Sequence, residues 1–253
     1  MRPQPAKSSA EAVRDRTPST RPVVLALPRP RPGRVVLEGA RVRVEPLDPE
    51  RHGPDLYARG HDGSPEAERS WLYLPYGPFA SEAEHRSWLR AQAAGDDPLF
   101  FTIVRPQGGR ALGVATLMTI EPGHGSIEIG HIWLGPNLQR TPAATEALFL
   151  LIAHALDDLG YRRMEWKCNA ANAASRAAAC RLGFIHEGVF YQHRIFKGRN
   201  RDTAWFSILD HEWPALRANF ETWLDPANFT EGGQQRQSLG DLNRTLTVAR
   251  VGG

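Results

Sequence analysis

The chain has 253 residues, 41% of them hydrophobic and 23% charged, which is ordinary for a globular protein with one principal domain and one good core. A formal charge of +3 and a pI of about 9.1 superficially suggest nucleic acid, but seven basic residues against Glu11 and Asp15 crowd into residues 1 to 33. The remainder is therefore near −2, with no strong electrostatic partner, and nucleic-acid binding is not expected of the body.

Val23 to Leu27, closed by Pro28, is too short for a secretory core, and no run reaches the length of a membrane span. Cys168 and Cys180 are the only cysteines and fall on a predicted strand and the next helix, which suits two reduced thiols in a cytoplasmic protein. No nearby Cys and His show ligand spacing, so no metal site is expected.

Residues 1 to 33 hold seven prolines among scattered Arg, Ser and Thr and are expected to be disordered. Residues 226 to 253 turn to Gly, Gln, Arg and Thr and read as a loosely ordered extension with one short strand near Leu246. The folded domain is then residues 34 to 225.

Within it, Arg34 to Pro46 alternates like a strand, Pro49 to Arg59 suits a short helix, and a loop rich in Trp, Tyr and Pro follows. Ser81 is placed to cap a helix that runs to Ala94 and stops at Gly95. Leu99 to Val104, Ala111 to Ile120 and Ser126 to Leu134 read as an antiparallel meander, with glycine turns between them. From Pro142 to Leu159 the apolar residues recur at helical steps up to Gly160. Arg162 to Asn169 is a strand and Ala173 to Leu182 a helix closed by Gly183. Phe184 to Phe196 and Asp202 to Leu209 are two long strands. This order fits a mixed sheet with helices on both faces, in which the helix from Pro142 bridges two adjacent parallel strands.

The most informative stretch runs from Leu134 through Gly135-Pro136 into the helix, because a strand passes through a tight turn directly to a helix start. Thr141 is a cap, Pro142 suits the first helical position, and the small Ala143 and Ala144 let a bulky anion approach the backbone. A merely well-capped helix would look the same. Downstream lie Asn169-Ala-Ala-Asn172-Ala-Ala-Ser175 and then Arg181-Leu-Gly-Phe184.

That order of strand, turn at Gln139, Asn172, Ser175 and Leu182-Gly-Phe184 resembles the GNAT acyltransferases, in particular their RimJ/RimL branch, over roughly residues 34 to 215. Glu187-Gly188 to Gly198, Asp202 and Phe206 to Leu209 resemble that branch's closing hairpin. The resemblance implies a GNAT-type fold, a central mixed and mostly antiparallel sheet with splayed parallel strands, and acetyl-CoA as acyl donor.

It further implies that Gln139, Arg140, Thr141, Ala143, Ala144 and Thr145 hold the donor's diphosphate, although Pro142 and Arg140 stand where the family pattern favours glycine. Backbone of Ile132, Trp133 and Leu134 would pair with the pantetheine arm, Asn172 would bind its amides, and Ser175 would face the sulfur; Asn172 and Ser175 also suit plain helix capping. The aromatic loop with Trp71, Tyr73, Tyr76 and Phe79 falls where the family closes over its acceptor, and packing of a core would also use it.

Transfer to an amine needs a proton acceptor, because the amine must be neutral to attack. Glu128 and His131 both lie on the strand beside the donor, on opposite faces unless a bulge intervenes, and Glu128 is favoured. Ser175 or Tyr191 would supply a proton to the departing thiolate, Tyr191 being equally at home as an ordinary strand residue. The acceptor is a small-molecule amine or a protein N-terminus, and the resemblance leaves a homodimer open. Two other readings are a CoA-binding sensor without turnover, suggested by Pro142, and an RNA- or ribosome-associated protein that uses the basic tail.

Overall fold

In the computed structural model, which describes residues 16, 22, 23 and 25 to 248, the alternation over residues 34 to 46 breaks into two short strands, β1 (Leu37–Glu38) and β2 (Arg43–Pro46). Gly39 makes the turn between them. Its N–H donates to the Val42 carbonyl at 2.9 Å, and a Cβ there would meet that carbonyl at 2.8 Å. Helix α1 (Pro49–Gly60) starts where the Asp48 carboxylate accepts from the N–H groups of Glu50 and Arg51. A short helix not expected from the sequence, α2 (Pro65–Ser70), lies at the start of the aromatic loop with Ser64 as its cap. Ser81 caps α3 (Glu82–Ala94) by accepting from the Glu84 N–H at 3.2 Å.

The meander is β3 (Leu99–Val104), β4 (Ala111–Glu121) and β5 (Ser126–Leu134). Helix α4 (Pro142–Ala153) then widens into one π-helical turn, His154–Asp158, so the bridging helix ends where the sequence places it but with a looser last turn. β6 (Arg163–Asn169), α5 (Ala173–Arg181), β7 (Ile185–Phe196) and β8 (Arg199–Leu209) follow, with β8 starting at Arg199 rather than Asp202.

Two helices complete the described chain, α6 (Trp213–Leu224) and α7 (Leu239–Val248). The second replaces the short strand expected near Leu246. Ser238 accepts from the Asp241 N–H, and Leu239, Leu242 and Leu246 recur at helical steps against the core, where Leu239 is 0% exposed. The buried Asn243 amide donates to the Arg181 carbonyl at 2.9 Å, which ties α7 to the end of α5.

Of the tail expected to be disordered, residues 1 to 15, 17 to 21 and 24 lie outside the described residues. Arg16 pairs with Glu187 and Glu212, and residues 25 to 33 run along the body. Arg29 donates from its N–H to the Pro122 carbonyl and from Nε to the Leu159 carbonyl, and the Tyr161 hydroxyl donates to the Pro30 carbonyl.

The sheet has eight strands in the order β1-β2-β3-β4-β5-β6-β8-β7, and β5 with β6 is its one parallel pair among the described residues. Strand alternation sends Val44, Phe101, Ile103, Ile127, Ile129, Met164 and Phe206 to one face, where α4, α5, α6 and α7 cover them. Phe100, Val114 and Trp133 face the other way, into a smaller core with Leu56 of α1 and Leu89 of α3.

That second layer contains imidazoles held neutral. Burial lowers the pKa of His52, which is 0% exposed, to about 4, and that of His85, 2% exposed, likewise to about 4. In the unfolded chain each titrates near 6.5, so between about pH 6.5 and 4 the unfolded state binds more protons and stability falls as pH falls. The expected slope is about 1.4 kcal/mol per pH unit for each histidine across that window, read by urea denaturation at stepped pH. A midpoint flat from pH 7 to 4.5 would contradict it.

Candidate active site

The site begins with a defect in β5. The ladder between β4 and β5 slips between the pairs Val114↔Trp133 and Thr116↔Gly130, and His131 there adopts φ 46°. This bulge restarts the alternation. Glu128, His131 and Trp133 consequently share one face, whereas an unbroken strand would have set Glu128 and His131 on opposite faces. His131 stacks on Tyr76 with centroids 5.5 Å apart, and its Nδ1 lies 3.3 Å from the Tyr76 hydroxyl.

β5 and β6 pair through only three residues, Ser126↔Arg163, Ile127↔Met164 and Glu128↔Glu165, and then part. Beyond Glu128 the strands diverge into a V, which leaves the edge of β5 that faces β6 without a ladder. The Glu128 carboxylate sits at the apex. Its Oε2 accepts from Lys167 Nζ at 2.8 Å and from Thr119 Oγ1 at 3.1 Å, whereas Oε1 accepts from no donor among the described residues. Lys167 also pairs with Glu165 at 2.7 Å and lies 4.3 Å over the Trp205 ring.

Burial raises the Glu128 pKa, and the nearby Lys167 and Thr119 only partly offset that. Burial also acts to raise the Glu165 carboxyl, but hydrogen bonds from Lys167 and Arg163 outweigh it and lower its pKa. Burial, with the Arg201 charge added, pushes His131 down to about 4. The face thus carries one carboxylate shifted toward neutral pH and one imidazole shifted away from it. Lys167, Thr119 and Arg201 are absent from the residues singled out by sequence. Lys167 was readable only as an alternating strand position.

At the mouth of the V, Gln139 donates from Nε2 to the Leu134 carbonyl at 3.0 Å, and Arg140 takes φ 60°. Thr141 caps α4, accepting from the Ala144 N–H at 3.1 Å through its hydroxyl and from the Thr145 N–H at 3.4 Å through its carbonyl. Of the residues expected to hold the diphosphate, Ala144 and Thr145 thus have their amides already satisfied. Pro142 has no N–H, so the first turn retains Thr141 and Ala143 as donors. Arg140 is exposed and has no acidic partner among the described residues. An exposed guanidinium beside free amides at a twelve-residue helix start fits a diphosphate. Replacing Thr141 by Ala is expected to cost about 1 kcal/mol of stability in denaturant titrations. A change within 0.2 kcal/mol would show that the cap contributes nothing.

On the far side, Asn172 caps α5, its Oδ1 accepting from the Ser175 N–H at 3.1 Å. The Ser175 hydroxyl accepts from Trp166 Nε1 at 3.0 Å and has its own proton directed at the Cys168 sulfur, from which it can turn to another acceptor. Tyr191 is 78% exposed on β7. The aromatic loop divides. Trp71 is 2% exposed, donates from Nε1 to the Gly60 carbonyl and stacks on Trp133 at 5.0 Å, and Phe79 is buried with it. Tyr76 covers His131, and the Tyr73 hydroxyl reaches over to donate to the Ala171 carbonyl at 3.1 Å. Lys197 of the β7–β8 turn ties the loop down by donating to the Trp71 and Gly77 carbonyls.

Residues 41 to 185 match the family model of the acetyltransferase (GNAT) domain. The chain belongs to the GNAT acetyltransferase family. This GNAT chain is similar to a GCN5-related N-acetyltransferase from Brucella melitensis, with a TM-score of 0.83 and 47% identity over 87% of this chain and 98% of that one. It is 37% identical over 102 residues to the ribosomal-protein-serine acetyltransferase of Escherichia coli (strain K12), covering 40% of this chain and 56% of that relative. The chain thus spans little more than half the length of such curated relatives. RimL, a ribosomal alpha-N-protein acetyltransferase, shares the fold at a TM-score of 0.59 and 22% identity over 69% of this chain and 94% of that one. The family uses acetyl-CoA as acyl donor. Among the described residues of this GNAT chain, no helix is long and apolar enough to cross a membrane.

Proposed function

We propose that this protein moves an acetyl group, or a close acyl relative, from coenzyme A to a primary amine in the cytoplasm. The acceptor is a small molecule or a protein N-terminus. The observation that carries the reading is the V between β5 and β6 with the Glu128 carboxylate at its apex. A family relationship alone would not locate the chemistry.

The acyl donor, when bound, supplies an activated thioester carbonyl. The chain's residues do the rest. Arg140 and the amides of Thr141 and Ala143 hold the diphosphate, and the main chain of Ile132, Trp133 and Leu134 orients the pantetheine arm along the open edge of β5. Asn172 offers its amide beside that arm. Gln139 braces the turn by its bond to Leu134.

Glu128 takes the proton of the incoming ammonium, directly or through one water, at Oε1, while Lys167 and Thr119 occupy Oε2 and fix the carboxylate. His131 is the poorer acceptor because its imidazole is pushed down to about 4; it stays neutral and does not repel an ammonium. Ser175 holds a hydroxyl proton for the departing thiolate. Tyr73 and Tyr76 wall the acceptor side, with Trp71 and Phe79 supporting them from the core.

Calorimetric titration of the full chain with coenzyme A tests the donor half. One site per chain is expected, with affinity weakened about tenfold by Arg140→Ala, about 1.4 kcal/mol. Absence of binding heat at millimolar coenzyme A would overturn it.

A further inference from the structure

The face that carries Glu128 continues across β6 and β8, and there it holds an imbalance of charge. On β8, Ala204, Phe206 and Ile208 point into the large core, so Arg201, Thr203 and Trp205 point to the opposite face, with Lys167 and Glu128. Arg201 is half-buried. Its guanidinium lies 4.6 Å over the Phe196 ring, and its Nε is buried without an acceptor. Directly opposite it in the β7–β8 ladder stands Arg194.

Two like charges across a strand pair repel, and a half-buried cation without an anion loses solvation that the Phe196 ring returns only in part. Among the described residues, neither arginine has a carboxylate partner. The acids nearby are engaged elsewhere. Glu128 and Glu165 share Lys167, and Asp202 accepts from the Gln192 N–H and the Asn200 amide. Trp205 adds a second orphan, a buried Nε1–H without an acceptor. The surface therefore offers cationic and N–H donors that the chain itself does not satisfy.

We propose that Arg201, backed by Arg194, is the anion-binding residue of the acceptor subsite, and that the preferred acceptor carries a carboxylate close to the amine that is acylated. The inference rests on the acyltransferase reading and narrows its substrate class. The donor's diphosphate has its own cation, Arg140, at the start of α4, which packs on the opposite face of the sheet. Arg201 thus lies on the acceptor side, close enough for its charge to act on Glu128 and His131. A bidentate guanidinium anchor beside the base orients a carboxylate-bearing amine and disfavours polyamines, whose charge it repels.

The test compares the full-length protein with Arg201→Met and Arg201→Lys. Acetyl-CoA is the donor, and the acceptors are two short peptides that differ only in acidic against amide side chains next to the N-terminus. The wild type is expected to favour the acidic peptide at least tenfold in kcat/KM. Arg201→Met should bring the ratio of the two peptides' kcat/KM to about one through KM for the acidic peptide, each variant's own rate on the neutral peptide being the reference and KM for acetyl-CoA staying within twofold, and Arg201→Lys should restore part of the preference. Because no anionic partner is lost and methionine can still pack on the Phe196 ring, the melting temperature of Arg201→Met should not fall.

Equal losses on both peptides with a lowered melting temperature would make Arg201 structural and overturn the proposal. A preference for succinyl-CoA over acetyl-CoA that Arg201→Met removes, with the peptides unaffected, would place the anion on the donor and also overturn it. Turnover without charge preference refutes this assignment alone, whereas absence of transfer to every amine refutes the underlying reading. Equilibrium binding of the acidic peptide to wild type and Arg201→Met reads the anchor without turnover: a tenfold loss of affinity supports it, and equal affinities overturn it.

Discussion

Glu128→Gln is expected to lower kcat by about two orders of magnitude, the range that a positioned general base contributes, while the dissociation constant for coenzyme A changes less than threefold. The amide keeps the shape and can still accept from Lys167 and Thr119 through its oxygen, so folding should survive. What disappears is the proton acceptor. The pH profile separates this from mere misplacement of the acceptor. Burial raises the Glu128 carboxyl, so in the wild type kcat/KM should fall on the acid side at a pH above the ordinary carboxylate range. Lys167→Met removes the cation that offsets burial and should move that limb further upward, because the charged form of Glu128 then loses its partner. Glu128→Gln should lack the limb altogether. A Gln variant with wild-type kcat, or a Lys167→Met limb displaced to lower pH, would remove Glu128 from the chemistry.

The second large effect is on stability. Glu146 of α4 is buried and accepts from three consecutive backbone N–H groups, those of Ala40 at 3.1 Å, Arg41 at 2.6 Å and Val42 at 3.0 Å, with the Arg41 guanidinium 3.6 Å away. One carboxylate thereby fixes the turn between β1 and β2 onto the helix that presents the diphosphate loop. Glu146→Ala strands those donors and uncouples Arg41, for which about 4 kcal/mol is expected, each lost bond to a charged acceptor contributing on the order of 1 to 3 kcal/mol with partial rescue by water. In a chain of this size that corresponds to a fall of roughly 10 °C in the melting temperature. A loss below 1 kcal/mol in urea titrations would show that water replaces the carboxylate without penalty.

The elements that set the fold were readable where period and punctuation agree. The meander over residues 99 to 134 alternates between glycine turns, and the apolar steps after Pro142 describe one buried helical face, so the parallel β5–β6 pair bridged by α4 follows from the pattern. Helix α6 escaped although Trp213, Leu216, Phe220, Trp223 and Leu224 recur at three- and four-residue steps, with Pro214 in its first turn. Its signal was present in the residues. Helix α7 was obscured by the threonines near Leu246, whose strand preference gave way to a leucine stripe that could be buried.

The site was legible in part. Thr141 as cap, Asn172 at the start of α5 and Glu128 beside the cleft lie at positions that local chemistry or strand order indicates. The bulge at His131 was signalled only by Gly130 in mid-strand, which allows a bulge without requiring one, and it decides that Glu128 and His131 share a face. Lys167 and Arg201 were not legible. Each is one charged residue in an alternating strand, and its meaning depends on what the neighbouring strand supplies: two carboxylates for Lys167 and an arginine for Arg201.

Release of free thiol from acetyl-CoA, followed with and without peptides bearing free N-termini, polyamines and small amino acids, tests the central claim most directly. The account predicts release that depends on an amine, saturates with it, and disappears in Glu128→Gln. Coenzyme A binding with no amine-dependent release from any acceptor in the panel would contradict it and leave a binding module in place of an acyltransferase.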